Sequence, residues 1–204
     1  MASQRRLGQE NSASRTALMD GVESVLRDDG YAALSARTVA ERAGLKHQLV
    51  YYYFQTMDDL LMATYRRHTD RVLERIELAF RAPRPLHAVW DVWSNPVDSR
   101  LNMEFLVMAN HNEAIRAATI AIGEESRRVG LERIAQLLAP TKLDGAVFNP
   151  MAVMMAISSL GGIVGLESAL GISGGHAETR AMVEWCLDQL EPEVAPGVAV
   201  AGKG

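Results

Sequence analysis

An all-α fold, with a small three-helix unit in front of a larger helical body, follows from three features of the 204-residue sequence. Apolar residues recur at helical spacing almost throughout. No run shows the strict alternation of a half-buried strand, and no Asn-Gly or Asp-Gly pair sits between such runs as a hairpin requires. Proline, glycine and capping residues divide the chain into about nine helices. With 48% hydrophobic and 23% charged residues, a sizeable core is available and disorder of the whole chain is excluded.

Leu18, Val22, Val25 and Leu26 define the first helix. Ser12 or Ser14 caps its start and Gly30 follows its end. A short second helix runs over 36–43, with Ser35 as its cap and Gly44 just beyond. A third begins near Lys46 and stops at Tyr53 or Phe54. Thr56-Met57-Asp58-Asp59 has the form of a capping box, with carboxylates at the positive end of a long fourth helix. Leu61, Tyr65, His68, Val72, Ile76 and Ala79 form its apolar stripe, and Pro83 and Pro85 end it. Further helices are expected over 86–94, 98–110, 113–139, 150–170 and 176–190. Asn95-Pro96, Asn110 to Asn112, Pro140 and Gly174-Gly175 separate them.

The two ends lack the apolar content to offset the entropy of ordering, so residues 1–12 read as a flexible arm and 192–204 as a flexible tail. Residues 13–56 form a small front unit on this reading, and 57–191 a larger helical body. A lone cysteine, Cys186, excludes an internal disulfide framework and a Cys-based zinc site. No apolar run follows Arg5 and Arg6, so no secretory signal is read and a cytoplasmic location is expected. The net charge is −4, yet residues 1–75 carry +1 and the remainder −5. Any nucleic-acid contact would therefore have to come from the front.

From Gly145 to Leu166 there is no charge, a length that would serve a membrane span of about 20 residues. Asn149-Pro150, Ser158-Ser159, the glycines at Gly161, Gly162 and Gly165, and the lack of flanking Lys/Arg clusters argue instead for a helix buried on nearly all sides, in the body or a subunit interface.

Ser35 to Leu60 carries the function. Two short helices joined by Ala43-Gly44-Leu45 satisfy a helix-turn-helix, with glycine accepting the positive φ of the turn. Val39, Ala40 and Ala43 are small enough for close crossing. On the second helix Val50 and Phe54 point one way. His47, Gln48, Tyr51 and Tyr52, next to Lys46, occupy the other face and suit a helix lying in a major groove. Three consecutive tyrosines followed by Phe exceed what so short a helix can bury, so part of the set is exposed.

Over about residues 13–62 the chain resembles the TetR family of regulators. The resemblance rests on Val39-Ala40-Glu41-Arg42-Ala43-Gly44-Leu45, then Tyr51-Tyr52-Tyr53-Phe54, then Met57-Asp58-Asp59-Leu60. It implies that Arg37, with Thr38 beside it in the support helix, reaches a base or phosphate. It also implies that His47 and Gln48 read base edges, that Tyr51 and Tyr53 hold phosphates, and that Tyr52 touches sugar or base. Two positions depart from the family pattern. Met57 stands where a phosphate-binding lysine is usual, and Leu49, where a small hydroxylated residue is common, offers packing on a thymine methyl. Arg5, Arg6 and Arg15 can compensate with phosphate or minor-groove contacts.

The resemblance further implies a homodimer on double-stranded operator DNA, in which the last two helices pair across a two-fold axis. Gly161, Gly165 and Ala169 recur every four residues and would admit another helix, with Met182, Trp185 and Cys186 on the last helix; the alternative for the glycines is packing within the chain. Trp90, Trp93, Met103, Phe105, Met108, His111, Met151, Met154 and Met155 are expected to line a cavity for a small hydrophobic ligand: lipid-like, steroid-like or aromatic. His111 and Glu113 would orient a polar end of that ligand. The function read from this is a repressor released from its operator when ligand tilts the fourth helix. No cofactor or metal is expected. A membrane-associated helical protein and a small all-helical enzyme are the rivals, the latter without a Gly-x-Ser-x-Gly elbow or a His-x-x-x-His pair.

Overall fold

A computed structural model describes residues 12–140, 145 and 147–191. The expected arm with Arg5 and Arg6, and the expected tail, lie outside the described residues apart from Ser12. Those residues form nine α-helices: α1 (Ala13–Asp28), α2 (Ala36–Arg42), α3 (Gln48–Tyr53), α4 (Met57–Ala79), α5 (Pro85–Trp93), α6 (Pro96–Ala109), α7 (Glu113–Leu138), α8 (Pro150–Ala169) and α9 (His176–Leu190). One 3-10 turn, Tyr31–Ala33, was not expected and links α1 to α2.

The caps explain where the helices start. Ser12 accepts from the Arg15 N–H and opens α1. Ser35 with Thr38, and Thr56 with Asp59, close reciprocal capping boxes on α2 and α4. Asn95, Asn112 and Asn149 cap α6, α7 and α8 with their side-chain oxygens. Two glycines turn the chain in the left-handed region, Gly30 at φ +78° after α1 and Gly44 at φ +67° between α2 and α3.

One apolar core holds Leu18, Val22, Leu26, Val39, Val50 and Phe54 of α1 to α3, and it runs on into Leu60 and Tyr65 of α4, Leu101, Phe105 and Met108 of α6, and Ile115 of α7. The start of α4 at residue 57 is therefore not a gap in packing. A second core joins α5, α7, α8 and α9 through Leu86, Trp90, Ile134, Ile157, Val164, Val183 and Leu187. Close approach at the front depends on Gly21, where a Cβ would stand 2.7 Å from the Val39 carbonyl oxygen.

The α4 stripe is buried at Leu61, Tyr65, His68, Val72 and Ala79, and side chains of α4 meet those of α6 in antiparallel order. Arg75 pairs with Asp98, the His68 Nε2 lies 2.8 Å from the Asn102 Oδ1, and both His68 and Tyr65 contact the Phe105 ring. Burial pushes the His68 imidazole below its ordinary pKa, partly opposed by the Asn102 hydrogen bond. From the other side Glu23 of α1, only 6% exposed, accepts from Arg67 at 2.7 Å and from Arg71. A carboxylate that deep needs such partners, and here they tie α1 to α4.

Helix α8 is long and apolar enough to cross a membrane, and within a single chain it is buried along one side. One face, Val153, Ile157, Gly161, Val164 and Gly165, packs within the chain, while Met151, Met155, Leu160 and Ile163 face outward.

Candidate nucleic-acid interface

Helix α3 is held by two anchors. Val50 is fully buried and Phe54 is 3% exposed, so α3 is pinned by the side facing the α1–α4 core. The Arg15 guanidinium also lies 4.7 Å from the centre of the Phe54 ring. With that face committed, helical geometry turns the other outward. Lys46, His47, Gln48, Tyr51 and Tyr52 are all exposed, the two tyrosines at 44% and 47%. His47 stands at the N-cap without a side-chain cap bond. Tyr53 is half-buried, its ring edge-on to Tyr52 at 4.9 Å. The result is a projecting surface of one lysine, one imidazole, one amide and phenol hydroxyls, all able to donate to phosphates and base edges.

Three expected contacts sit differently. Thr38 is used by the fold: its hydroxyl donates to the Ala33 carbonyl at 2.8 Å and accepts from the Ser35 N–H at 3.0 Å. Leu49 is half-buried against the front core, so its side chain is committed to packing rather than to a base methyl. Arg37 is outward but pairs with Glu41 at 2.8 Å, an exposed bond that costs little to exchange for a phosphate. Where the family pattern has lysine, Met57 packs against the core, and the next residue, Asp58, is exposed. The start of α4 thus presents a carboxylate to its surroundings. Arg66, which sequence reading passed over, lines an open groove with Arg15, Tyr53, Gln55 and Met62 beside α3. Its position on the outer side of α4 relative to the apolar stripe was the available signal.

In the body the expected cavity does not assemble. Trp90, Phe105 and Met108 are 2%, 1% and 0% exposed, as core side chains, with Phe105 and Met108 in the first core and Trp90 in the second. Met103, Met151 and Met155 face outward. Trp93 and Met154 are half-buried, packed at the glycine positions of α8 and α7 respectively. His111 stacks on Tyr31 with centroids 5.9 Å apart, and with Glu113 it lines an open notch beside Asp58. The physical reason is that Met and aromatic residues at helical spacing fill cores and interfaces alike, and spacing alone does not separate the two.

The glycines are corrected in the same way. A Cβ on Gly161 would lie 2.9 Å from the Trp93 Cβ, and one on Gly165 would lie 2.3 Å from the Ser99 Oγ. Both let α8 close on the corner between α5 and α6 of its own chain. Ala169 and Cys186 are half-buried. Met182 and Trp185, at 53% and 63%, project outward from α9. Among the described residues, no group of three or more His, Cys, Asp or Glu side chains could hold a metal ion.

Residues 18–64 match the model of bacterial regulatory proteins of the tetR family. No curated protein matches the chain. Among solved structures, a Rhodococcus sp. protein assigned to the TetR-family transcriptional regulators has the same fold, with a TM-score of 0.69 at 20% identity over 88% of this chain and 100% of that one. A TetR transcription regulator from Haloarcula marismortui gives 0.56 at 23% identity over 87% and 90%. The multidrug binding protein EbrR, complexed with imidazole, gives 0.56 at 21% identity over 91% and 99%. The matched segment contains α2 and α3 with their exposed face, so the front of the chain is similar to the DNA-binding domain of the tetR family of bacterial regulatory proteins, and it sits on a body of the same fold as these solved structures.

Proposed function

We propose that the protein acts in the cytoplasm as a homodimeric repressor that binds an operator through α3 and leaves it when a small, largely hydrophobic ligand enters the body. The observation that carries this reading is the division of α3 into a buried side, Val50 and Phe54, and a projecting side, His47, Gln48, Tyr51 and Tyr52. Lys46, Tyr51 and Tyr53 hold the backbone and His47 and Gln48 read bases.

Dimerisation through the outer faces of α8 and α9 is supported by Met151, Met155, Leu160, Ile163, Met182 and Trp185, apolar side chains that a single chain leaves in water. Two α3 helices on a two-fold axis would then address half-sites about 34–36 Å apart, or a multiple of that. Effector binding is assigned to the apolar body on this reading, and the similarly folded multidrug binding protein EbrR, solved in complex with imidazole, is in keeping with a small-molecule ligand. With Trp90, Phe105 and Met108 packed, a ligand has to displace them, so binding and repacking are one event, and the ligand acts by its preference for the repacked state.

Selection of bound duplexes from a random pool, followed by salt titration, tests the DNA reading. A pseudo-palindromic sequence with steep salt dependence is expected, and no enrichment would refute it. Sedimentation of the purified chain tests the dimer. A thermal-shift screen of lipid-like, steroid-like and aromatic compounds tests the ligand class, and no stabilising compound would count against it.

A further inference from the structure

We propose that Glu104 of α6 is a positioning residue for DNA binding, fixing the angle between the DNA-reading helices and the body through the 3-10 turn at Tyr31. The inference rests on the reading of a two-headed DNA binder. The Glu104 Oε2 accepts the Tyr31 backbone N–H at 2.9 Å, a bond that joins residues 73 positions apart. Gly30 makes it possible. Its φ of +78° turns the next amide toward α6, and a Cβ there would already meet the Glu104 Oε1 at 3.6 Å. Seven residues along α6, on the same side and just past its end, His111 stacks on the Tyr31 ring with planes 4° apart. Tyr31 is thus held twice, by its amide and by its ring.

From Tyr31 the connection continues in hydrogen bonds. The turn ends at Ala33, whose carbonyl accepts the Thr38 hydroxyl at 2.8 Å, and Thr38 is the third residue of α2, where it closes the capping box with Ser35. The support helix is in this way tied to α6 by Glu104, Tyr31, Ala33 and Thr38 in sequence. At its other end α6 is clamped to the body, by Ser99 against Gly165 of α8 and by Asn102 on His68 of α4. A shift of α6 is therefore felt at α2, a contiguous physical route independent of the ion pairs through which α4 holds α1. Thr38, expected to touch DNA, acts here as a link instead.

The test uses the full chain and its selected operator, with a panel of duplexes in which the spacing between half-sites is lengthened or shortened by one and two base pairs. Glu104→Ala removes the acceptor. Discrimination between the preferred and altered spacings is expected to fall by about tenfold, the scale of one charge-assisted hydrogen bond. Amide exchange of the 31–34 segment should accelerate by a similar factor. Glu104→Gln keeps a neutral acceptor and should restore most of both, a rescue that a simple loss of stability would not show. His111→Ala, on an exposed side chain, should loosen spacing preference by about threefold. If Glu104→Ala does not fold, the Glu104→Gln/His111→Ala double variant is read by the same two measurements. Unchanged spacing preference with unchanged exchange at 31–34 overturns the proposal. A wild-type chain that selects no DNA at all overturns the DNA-binding reading along with it.

Discussion

Replacing Gly161 by alanine separates two roles that its place in the sequence leaves open. On an interior helical position the change is worth about 1 kcal/mol in favour of the folded chain, from helix propensity alone. The tertiary environment opposes it. The new Cβ would lie 2.9 Å from the Trp93 Cβ and 3.2 Å from both the Ser94 N and the Trp93 carbonyl carbon. Carbon pairs rest at about 3.5–4.0 Å, so relief requires a gap of about half an ångström or more between α8 and the α5–α6 corner. Neither side yields easily, since the contacts are backbone and Cβ atoms rather than side-chain ends. Overpacking of this kind costs about 1–3 kcal/mol, leaving a net loss of up to about 2 kcal/mol. For a chain of 204 residues that lowers Tm by up to about 4–8 °C. The assay is thermal unfolding of wild type and variant at equal protomer concentration, repeated at a tenfold dilution. The self-association constant, measured by sedimentation, should stay close to wild type. A variant of raised Tm, or one of unchanged fold that dissociates, would show that Gly161 faces a partner chain and would refute the intramolecular assignment.

Three other outcomes are expected. Trp185→Ala removes the most exposed large apolar side chain of α9, and sedimentation should show dimer affinity falling at least about thirtyfold, the loss of one hot-spot residue; unchanged association would move the interface elsewhere. Met57→Lys should strengthen operator binding and steepen the salt dependence by about one unit of slope in a log–log titration, because it adds one phosphate contact; an unchanged slope would place the start of α4 away from the DNA backbone. His68 is neutral when buried and its pKa is lowered from 6.5, so its contribution is intact above 6.5 and is lost as pH falls from there through the lower folded value. Tm of wild type should therefore drop on acidification below pH 6.5 more steeply than that of His68→Gln, and parallel curves would show that His68 does not titrate in that window.

Much of the front was legible because its signals are local. Caps are read within four residues: Ser35 opens α2 and Thr56 with Asp59 closes the box on α4 as the pattern of side chains predicts, while the part of Thr38 in the α2 box was not read. The exposed face of α3 was legible for the same reason, since a six-residue helix with Val50 and Phe54 committed inward has one other side to show. The Tyr31–Ala33 turn escaped because a single 3-10 turn has too few residues to show a period.

What the chain alone determined is the set of helices, the turn at Gly44 and the chemistry of the exposed face of α3, all of which depend on neighbours within a turn or two. The packing of distant elements decided the rest. It made Gly161 and Gly165 seats for the α5–α6 corner, buried Trp90, Phe105 and Met108, left Met151 and Met155 outward, and brought Glu104 to the Tyr31 amide. Apolar side chains with the same helical spacing serve a core, a cavity or a subunit contact. Which of these they serve depends on what lies across from them, and that information resides in three dimensions.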